Sequence, residues 1–357
     1  MLVEKRKIWE NGEYDYPLAF GFEPNLVGYL QETACDCDKE APDEGLAEPG
    51  ENGGRRPCMV IVPGGGYCLA SPTEGEIVAK RFLSMGYQTF VLTYTTNPLM
   101  AVPLKDQPMR DLSRAIRYIR RNAKSYGIDE NRIAVCGFSA GAHLCGSLCV
   151  HYKDVTEENQ DYVLYSNRPD AAILSYPVIT SGEYAHEGSF QALAGKEENE
   201  ETKKWRNYFS LEYHVTPETP PCFLWQTVSD DTVPVENSYL FAKACKENGV
   251  PHAHHIFNFG WHGLSLADAA FTAGDFGDPY PMEQMVRTLE AVENDSLPIA
   301  LTPEERETFL KENRDVVARI CRKIPEEPWM PEVAMWPVLA EKWLNNQWRI
   351  KWESRNL

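Results

Sequence analysis

The sequence predicts an α/β fold in which a mostly parallel central sheet is flanked by helices. Short apolar runs alternate along the chain with segments whose apolar residues recur at helical spacing, and this alternation is typical of parallel strands joined by helices. The 357 residues are enough to bury a sizeable core. Hydrophobic residues make up 43% of the chain and charged residues 25%, an ordinary balance for a folded domain. We expect one domain that spans residues 1–357.

Six apolar runs are the expected strands. Each has the length of a strand in a globular protein, and β-branched or aromatic residues are frequent in them. They occupy residues 58–63, 88–94, 133–137, 171–176, 222–227 and 254–258. Residues 112–119 carry apolar side chains at helical spacing and are an expected helix between the second and third strands.

Two further segments have clear local patterns. Residues 36–54 (DCDKEAPDEGLAEPGENGG) are acidic and rich in Gly and Pro, which indicates a solvated surface loop rather than a specific binding tail. Thr302 precedes Pro303, and Glu305 follows three residues after the threonine. This pattern predicts a helix that begins with a capping box and runs to about residue 323.

Charge and composition exclude some classes of partner and location. The formal net charge is -18, and an acidic surface repels nucleic acid and anionic membranes. No apolar run approaches the roughly 18 residues that a membrane-spanning helix needs. The basic residues 5–7 are not followed by an apolar stretch, so we predict no secretion signal. The ten cysteines are then expected to be reduced thiols in the cytoplasm.

The strongest chemical signal is the G-x-S-x-G pentapeptide at residues 137–141. It follows an expected buried strand and opens an expected helix, residues 142–150, which is the context that a nucleophilic serine on a sharp turn requires. Small residues on both sides let the chain fold back, so that the Ser139 hydroxyl points away from the sheet. The alternative interpretation is a chance match in a Gly-rich loop.

A second Gly-rich segment, PGGGY at residues 63–67, directly follows the first expected buried strand. In hydrolases with this layout such a loop supplies backbone N–H donors for an oxyanion, together with the residue after the nucleophile. Gly65, Gly66 and Ala140 are the candidate donors. A tight turn that binds nothing is the alternative, and a phosphate loop is disfavoured because no Gly-Lys-Ser/Thr follows.

His262 is the candidate general base among the eight histidines. It lies between glycines in FGWHGL, just after the last expected strand, where a loop can bring it to a nucleophile. His252 and His254 share one face of that strand, but no carboxylate or cysteine stands at ligand spacing, so we predict no metal site. His186 could border the pocket.

Two acids follow the fifth expected strand in SDDTVP, between the serine and the histidine in chain order. Asp230 fits best as the acid that orients the histidine, because a Val-Pro pair follows it at the spacing that recurs in such enzymes. Asp231 is the second candidate. Either aspartate could instead cap the helix that begins near residue 235. The order oxyanion loop, serine, acid, histidine places each element after a strand.

These stretches resemble the bacterial carbohydrate acetyl esterases of the α/β-hydrolase superfamily, the acetyl xylan esterase-like "acetyl esterase/lipase" group. The matching segments are PGGGY (63–67), residues 74–94, GFSAGAHL (137–144), residues 175–190, residues 215–238 and GWHGLSLAD (260–268). The resemblance covers most of residues 15–270 and carries the triad onto Ser139, Asp230 and His262. It implies an α/β-hydrolase fold.

The resemblance also implies an activity. This would be a serine esterase that hydrolyses short-chain, acetyl-type esters of sugars or xylo-oligosaccharides through an acyl-enzyme, with no metal or organic cofactor. A peptidase or lipase on the same fold is one alternative, and a non-catalytic binding protein is another. The expected partner is a small-molecule ester, with no nucleic acid and no membrane; a homo-oligomer is possible.

The chain departs from the family pattern at two places. Gln226 stands where family members usually have histidine, at a position outside the triad. Residues 331–344 resemble the closing helix of the family, but they come late in the chain. Residues 272–328 are therefore an expected insertion before the last helix, which could cover the active site or form an oligomer contact. This departure from the family pattern bears on the substrate rather than on the reaction.

Overall fold

One eight-stranded sheet organises the computed structural model, which describes residues 1–31 and 54–355. The expected acidic loop, residues 36–54, lies outside the described residues except for Gly54. The strands are β1 (Leu2–Lys7), β2 (Asn25–Leu30), β3 (Arg56–Val62), β4 (Gln88–Thr93), β5 (Ile128–Phe138), β6 (Ala171–Ser175), β7 (Cys222–Thr227) and β8 (His252–Phe257). Their order across the sheet is β1-β2-β4-β3-β5-β6-β7-β8.

The sheet is mostly parallel, as the sequence predicted. Strands β4, β3, β5, β6, β7 and β8 pair in parallel, whereas β1 pairs with β2 and β2 with β4 in the antiparallel sense. All six predicted strands are present. Strands β1 and β2 were missed. The edge strand β1, LVEKRK, exposes five of its six residues and carries no apolar alternation. Strand β2, NLVGYL, is buried throughout, and its apolar run was overlooked.

Helices cover both faces of the sheet. They are α1 (Glu76–Ser84), α2 (Gln107–Arg121), α3 (Ala140–His151), α4 (Glu187–Ala194), α5 (Glu200–Tyr208), α6 (Glu236–Glu247), α7 (Ala269–Ala273), α8 (Glu283–Glu293), α9 (Pro303–Asn313), α10 (Val316–Ile320), α11 (Met330–Val333) and α12 (Trp336–Arg355). Two large apolar clusters form, one on each face, from alternate residues of the central strands. The predicted helix at 112–119 is the central part of α2.

The expected insertion, residues 272–328, contains α8, α9 and α10 and the loops between them. The capping box at Thr302 is present, with Thr302 Oγ1 accepting from the Glu305 N–H and Glu305 accepting from the Thr302 N–H. The helix stops at Asn313 rather than near residue 323. Helix α9 has no buried residue, so little tertiary packing favours its extension past the first three turns. That the segment is an insertion stays a prediction.

The last helix packs beneath the centre of the sheet through Trp336, which is fully buried. Its indole ring stacks on Trp225 of β7, with ring centroids 5.3 Å apart and planes at 17°, and meets Phe138 of β5 edge-on. Its Nε1 donates to the Ser265 carbonyl at 2.8 Å. Trp336 therefore ties the closing helix to the residue before Ser139 and to the loop after β8.

We expect Trp336→Ala to lower the free energy of unfolding by about 3–5 kcal/mol, the range for removing a large buried aromatic side chain. Trp336→Phe should cost less, because it keeps most of the packing and loses the indole hydrogen bond. Urea unfolding followed by circular dichroism measures both changes. Met335→Ala is the matched control, because the Met335 side chain is exposed and should change stability by less than about 0.5 kcal/mol. Equal stabilities of the alanine variants would contradict the prediction.

Candidate active site

Ser139 lies on a sharp turn between β5 and α3, with a positive φ of 52°. A side chain rarely adopts this conformation without strain. Glycines on either side make the turn sterically possible. A Cβ on Gly141 would overlap the carbonyl oxygens of Val62 and Pro63, and a Cβ on Gly137 would overlap the Gly141 backbone. The crowding that the pentapeptide predicted is therefore present, and it places the serine at the N-terminus of α3.

The structure brings Ser139, His262 and Asp230 into one hydrogen-bonded chain. His262 Nε2 lies 2.7 Å from Ser139 Oγ. His262 Nδ1 lies 2.8 Å from Asp230 Oδ2 and 3.1 Å from Oδ1. The Asp230 side chain is 1% exposed and that of His262 is 14% exposed. A buried acid, a partly accessible imidazole and a hydroxyl at these distances have the geometry of a nucleophile and its base.

The surroundings of the two aspartates differ. Asp230 Oδ1 also accepts the backbone N–H groups of Thr232 at 3.0 Å and Val233 at 2.9 Å, which fixes the carboxylate. Asp231 is an exposed residue that does not contact the imidazole ring. Its Oδ1 lies 3.4 Å from the backbone nitrogen of His262. The geometry places Asp230, and not Asp231, on the imidazole.

Gln226, the departure from the family pattern, contacts the same carboxylate. Its Nε2 donates to the Val233 carbonyl at 2.7 Å and lies 3.3 Å from Asp230 Oδ2. The amide is fully buried at the end of β7. It therefore supports the loop that carries Asp230, which is consistent with a position outside the triad.

The PGGGY loop lies against the nucleophile. A Cβ on Gly64 would stand 2.9 Å from the Ser139 Cβ, so only glycine fits this approach. Gly65 and Gly66 have positive φ values of 124° and 63°. Within the described part of the chain their N–H groups donate to no protein acceptor, and Ala140 supplies a first-turn N–H of α3. These groups are free to bind an anion or a carbonyl oxygen.

A buried carboxylate, which the sequence analysis missed, holds this loop. Glu74 is 3% exposed; its Oε2 accepts the Gly64 N–H at 2.7 Å, and its Oε1 accepts the Tyr176 hydroxyl at 2.7 Å. Burial raises the pKa of Glu74 above its ordinary value, and the hydrogen bonds from Tyr176 and Gly64 oppose that shift. Glu74 begins one of the segments that resemble the family, but no sequence pattern indicates this contact, because Tyr176 lies about a hundred residues further along the chain.

Tyr176 connects Glu74 to the histidine. Its ring meets the His262 ring edge-on, with centroids 5.0 Å apart. Its hydroxyl also accepts the Ser265 N–H at 3.1 Å, and the backbone φ of Tyr176 is +37°. One buried Tyr–Glu pair thus links the Gly-rich loop to the loop that carries His262. Tyr176 lies in one of the segments that resemble the family, residues 175–190, but no sequence pattern indicates this contact.

His186, which the sequence placed at the border of the pocket, lies beside the Gly-rich loop. It is the N-cap of α4, where its Nδ1 accepts from the Ser189 N–H at 3.3 Å. A Cβ on Gly66 would stand 3.8 Å from its Cε1. Burial, and then the nearby His262, lower the pKa of His186. The His186 ring therefore lies next to Gly66 of the Gly-rich loop.

Among residues 1–31 and 54–355, no three side chains of His, Cys, Asp or Glu cluster in a way that could hold a metal ion. Eight cysteines in these ranges are free thiols. Over the same ranges, no helix combines the length and apolar character that crossing a membrane requires.

The raised pKa of Glu74 predicts a pH-dependent stability difference from Glu74→Gln. The folded state binds this proton more tightly than the unfolded chain, so the wild-type protein loses stability as pH rises above the ordinary value of 4.5. The free energy of unfolding of the wild-type protein, relative to that of the glutamine variant, should be highest at about pH 4 and lower at about pH 7. Urea midpoints at several pH values measure this difference. A difference that stayed constant or grew with pH would contradict the prediction.

Comparison with known proteins assigns the family. The BD-FAE family model matches residues 46–245. The chain is 46% identical to endo-1,4-beta-xylanase B of Butyrivibrio fibrisolvens over 81% of its length and 42% of that protein. It is 30% identical to an acetylxylan esterase of Xylanibacter ruminicola, over 58% of this chain and 41% of that one. The chain thus spans about two fifths of the length of these curated relatives.

One similar solved structure is matched over nearly its whole length. The acetyl ester-xyloside bifunctional hydrolase from Caldicellulosiruptor lactoaceticus is 35% identical, with a TM-score of 0.64, over 82% of this chain and 97% of that chain. A carboxylesterase from Lactobacillus plantarum, 24% identical with a TM-score of 0.57, shares the fold. The predicted fold class and the predicted family resemblance are both confirmed. The chain belongs to the BD-FAE family, within the α/β-hydrolase superfamily.

Proposed function

We propose that this protein is a serine esterase that hydrolyses short-chain, acetyl-type esters of sugars or xylo-oligosaccharides. The observation that carries the proposal is the continuous hydrogen-bonded chain from Ser139 Oγ to His262 and from His262 to the buried Asp230, at 2.7 and 2.8 Å. A serine hydroxyl is a poor nucleophile unless a base takes its proton. The proposal is supported by His262 Nε2 lying within hydrogen-bond reach of this hydroxyl while Nδ1 faces the Asp230 carboxylate.

The residues perform the reaction in two halves. Ser139 Oγ attacks the acyl carbonyl while His262 Nε2 takes the hydroxyl proton, and Asp230 stabilises the imidazolium that forms. The N–H groups of Gly65, Gly66 and Ala140 stabilise the negative charge on the tetrahedral oxygen. His262 then donates the proton to the departing sugar oxygen, which leaves the acyl group on Ser139. Water, deprotonated by His262, releases the acid and restores the serine.

The Glu74–Tyr176 pair supports this assignment by keeping both loops in register. Glu74 draws the Gly64 N–H away from the reaction centre, which leaves the next two N–H groups of the loop for the oxyanion. Tyr176 packs on His262 and limits its rotation. Because a misplaced donor or base slows acyl transfer strongly, a buried connection between the two loops favours catalysis over simple binding.

The names of similar proteins support the substrate class. One relative is an acetylxylan esterase, another is a xylanase, and a similar structure is an acetyl ester-xyloside hydrolase. We carry over from them the acetyl group and the xylose-containing alcohol. Because the protein is acidic, with a net charge of -18, we propose no nucleic-acid or membrane partner. A cytoplasmic location remains a prediction, which cell fractionation would test. Light scattering would test whether the protein forms a homo-oligomer.

The test of this proposal is acetate release from acetylated xylo-oligosaccharides, measured beside p-nitrophenyl acetate and butyrate. We expect the wild-type protein to release acetate and to prefer the acetyl ester. Ser139→Ala should lower kcat by at least about 10⁴-fold, because no other group replaces the nucleophile. Labelling of Ser139 by a fluorophosphonate provides a readout of the nucleophile that needs no substrate.

Other outcomes select the alternatives. Hydrolysis of p-nitrophenyl acetate alone would keep the esterase and remove the xylan assignment. A rate that rises with acyl chain length would indicate a lipase. Release of N-terminal residues from peptides would indicate a peptidase. If no ester were hydrolysed and Ser139 were not labelled, a non-catalytic binding protein would be the remaining interpretation.

The choice between the two aspartates has a matched test. Asp230→Asn should lower kcat by about 10³- to 10⁴-fold, because an amide on Nδ1 holds the wrong tautomer of the histidine. Asp231→Asn is the control next to it and should change kcat less than about tenfold, since Asp231 does not contact the ring. Steady-state kinetics on p-nitrophenyl acetate measure both, and thermal unfolding checks that both variants fold. A larger loss in Asp231→Asn would reverse the assignment.

A further inference from the structure

A cavity of about 610 Å³ lies beside the loops of the candidate active site. Trp261 and Gly263, the two neighbours of His262 in the chain, line it on one side. Ser71 and Thr73, from the segment that follows the Gly-rich loop, line it as well. The Ser71 N–H donates to the Gly64 carbonyl at 2.9 Å. The cavity therefore adjoins both loops that the proposed reaction uses.

The far wall of the cavity comes from residues 319–325, within the expected insertion. This strip is fixed against α7. The Ile324 N–H donates to the Thr272 carbonyl at 3.0 Å, and a Cβ on Gly274 would stand 2.5–2.6 Å from the backbone of residues 322 and 323. The insertion is thus packed tightly against the element that follows the histidine loop, and it supplies a defined wall.

The charge of this cavity is opposite to that of the protein. Its wall contains three basic residues, Arg319, Arg322 and Lys323, and no acidic residue, whereas the chain has 53 acidic and 35 basic residues. Among the described residues, none of the three cations forms an ion pair with a carboxylate, and the Arg319 guanidinium donates to the Glu312 backbone carbonyl. The acidic residues that follow, Glu326 and Glu327, line a separate cavity.

The remaining surface of the cavity suits a sugar ring. Trp261 is half-buried and is held edge-on by Trp329, with ring centroids 5.0 Å apart, so its ring is an ordered apolar surface. A Cβ on Gly263 would meet no atom within 4 Å, so open space reaches the backbone next to His262. The wall thus combines aromatic and apolar side chains (Trp261, Phe271, Ile320) with polar and charged ones, and a sugar presents both kinds of surface.

We propose that this cavity is a subsite for the carboxylate of an acidic sugar, such as a uronic acid side group on an acetylated xylo-oligosaccharide. Arg322 and Lys323 attract the carboxylate, Arg319 adds to the positive potential, and Trp261 packs on a sugar ring. The ester lies at Ser139 while the acidic group lies in the cavity. The subsite rests on the proposed esterase function and adds to it a preference for negatively charged substrates.

The test compares kcat/KM on acetylated xylo-oligosaccharides with and without a uronic acid group. The wild-type protein should prefer the acidic substrate, and Arg322→Glu/Lys323→Glu should lower the acidic-to-neutral ratio by roughly three- to tenfold, the size expected for exposed charges. Raising the salt concentration should reduce the wild-type preference. Lys204→Glu/Lys246→Glu makes the same charge change at exposed residues of α5 and α6 and should leave the ratio unchanged.

A binding measurement separates failure of the subsite from failure of the esterase. Calorimetric titration of the Ser139→Ala protein with a deacetylated acidic xylo-oligosaccharide needs no turnover, and the charge reversal should weaken that binding by a similar factor. p-Nitrophenyl acetate reports the esterase reaction by itself. An active enzyme whose acidic-to-neutral ratio is the same in wild type and reversal variant would overturn the subsite. The subsite would also be overturned if the charge reversal lowered kcat/KM equally for both substrates, or if it left the affinity for the deacetylated acidic oligosaccharide unchanged.

Discussion

At Ser139 the chain turns sharply from the central sheet into a helix, and the two loops of the site are held around this turn. The chain leaves β5 and enters α3 in a single residue with a positive φ, and the backbones of β3 and α3 then touch so closely that Gly141 has no room for a Cβ. Such a turn stores strain that the surrounding sheet must hold. The parallel strands on both sides supply that support, and every other element of the site is positioned relative to this turn.

Two loops flank Ser139, and the proposed reaction requires both to keep their positions. The Gly-rich loop follows β3, and the histidine loop follows β8 at the edge of the sheet. Glu74 and Tyr176 join them through buried hydrogen bonds, and Ser265 Oγ adds a bond to the Thr73 carbonyl at 2.7 Å. Burying a carboxylate is costly unless it is hydrogen-bonded. The two hydrogen bonds of Glu74 offset this cost, and they hold the Gly-rich loop and the histidine loop in position.

The sequence predicted most of the fold and most of the candidate site. The central strands were found because a strand buried on both faces reads as a continuous apolar run. The edge strand β1 was missed because it is exposed and charged, and its existence depends on pairing with β2. The helix from Thr302 began where predicted, since a capping box is local, but it ended early because α9 buries nothing.

The central strands and the glycines around Ser139 could be read from the sequence, because each depends on residues adjacent in the chain. The order of serine, acid and histidine could be read as well, because each lies in a recognisable local motif. Three features required the folded chain: the contact of Asp230 rather than Asp231 with His262, the Glu74–Tyr176 pair that joins the two loops, and the cavity beside His262 that three cations line. These contacts join segments tens to hundreds of residues apart. Their geometry follows from how the sheet and helices pack, which no local pattern records.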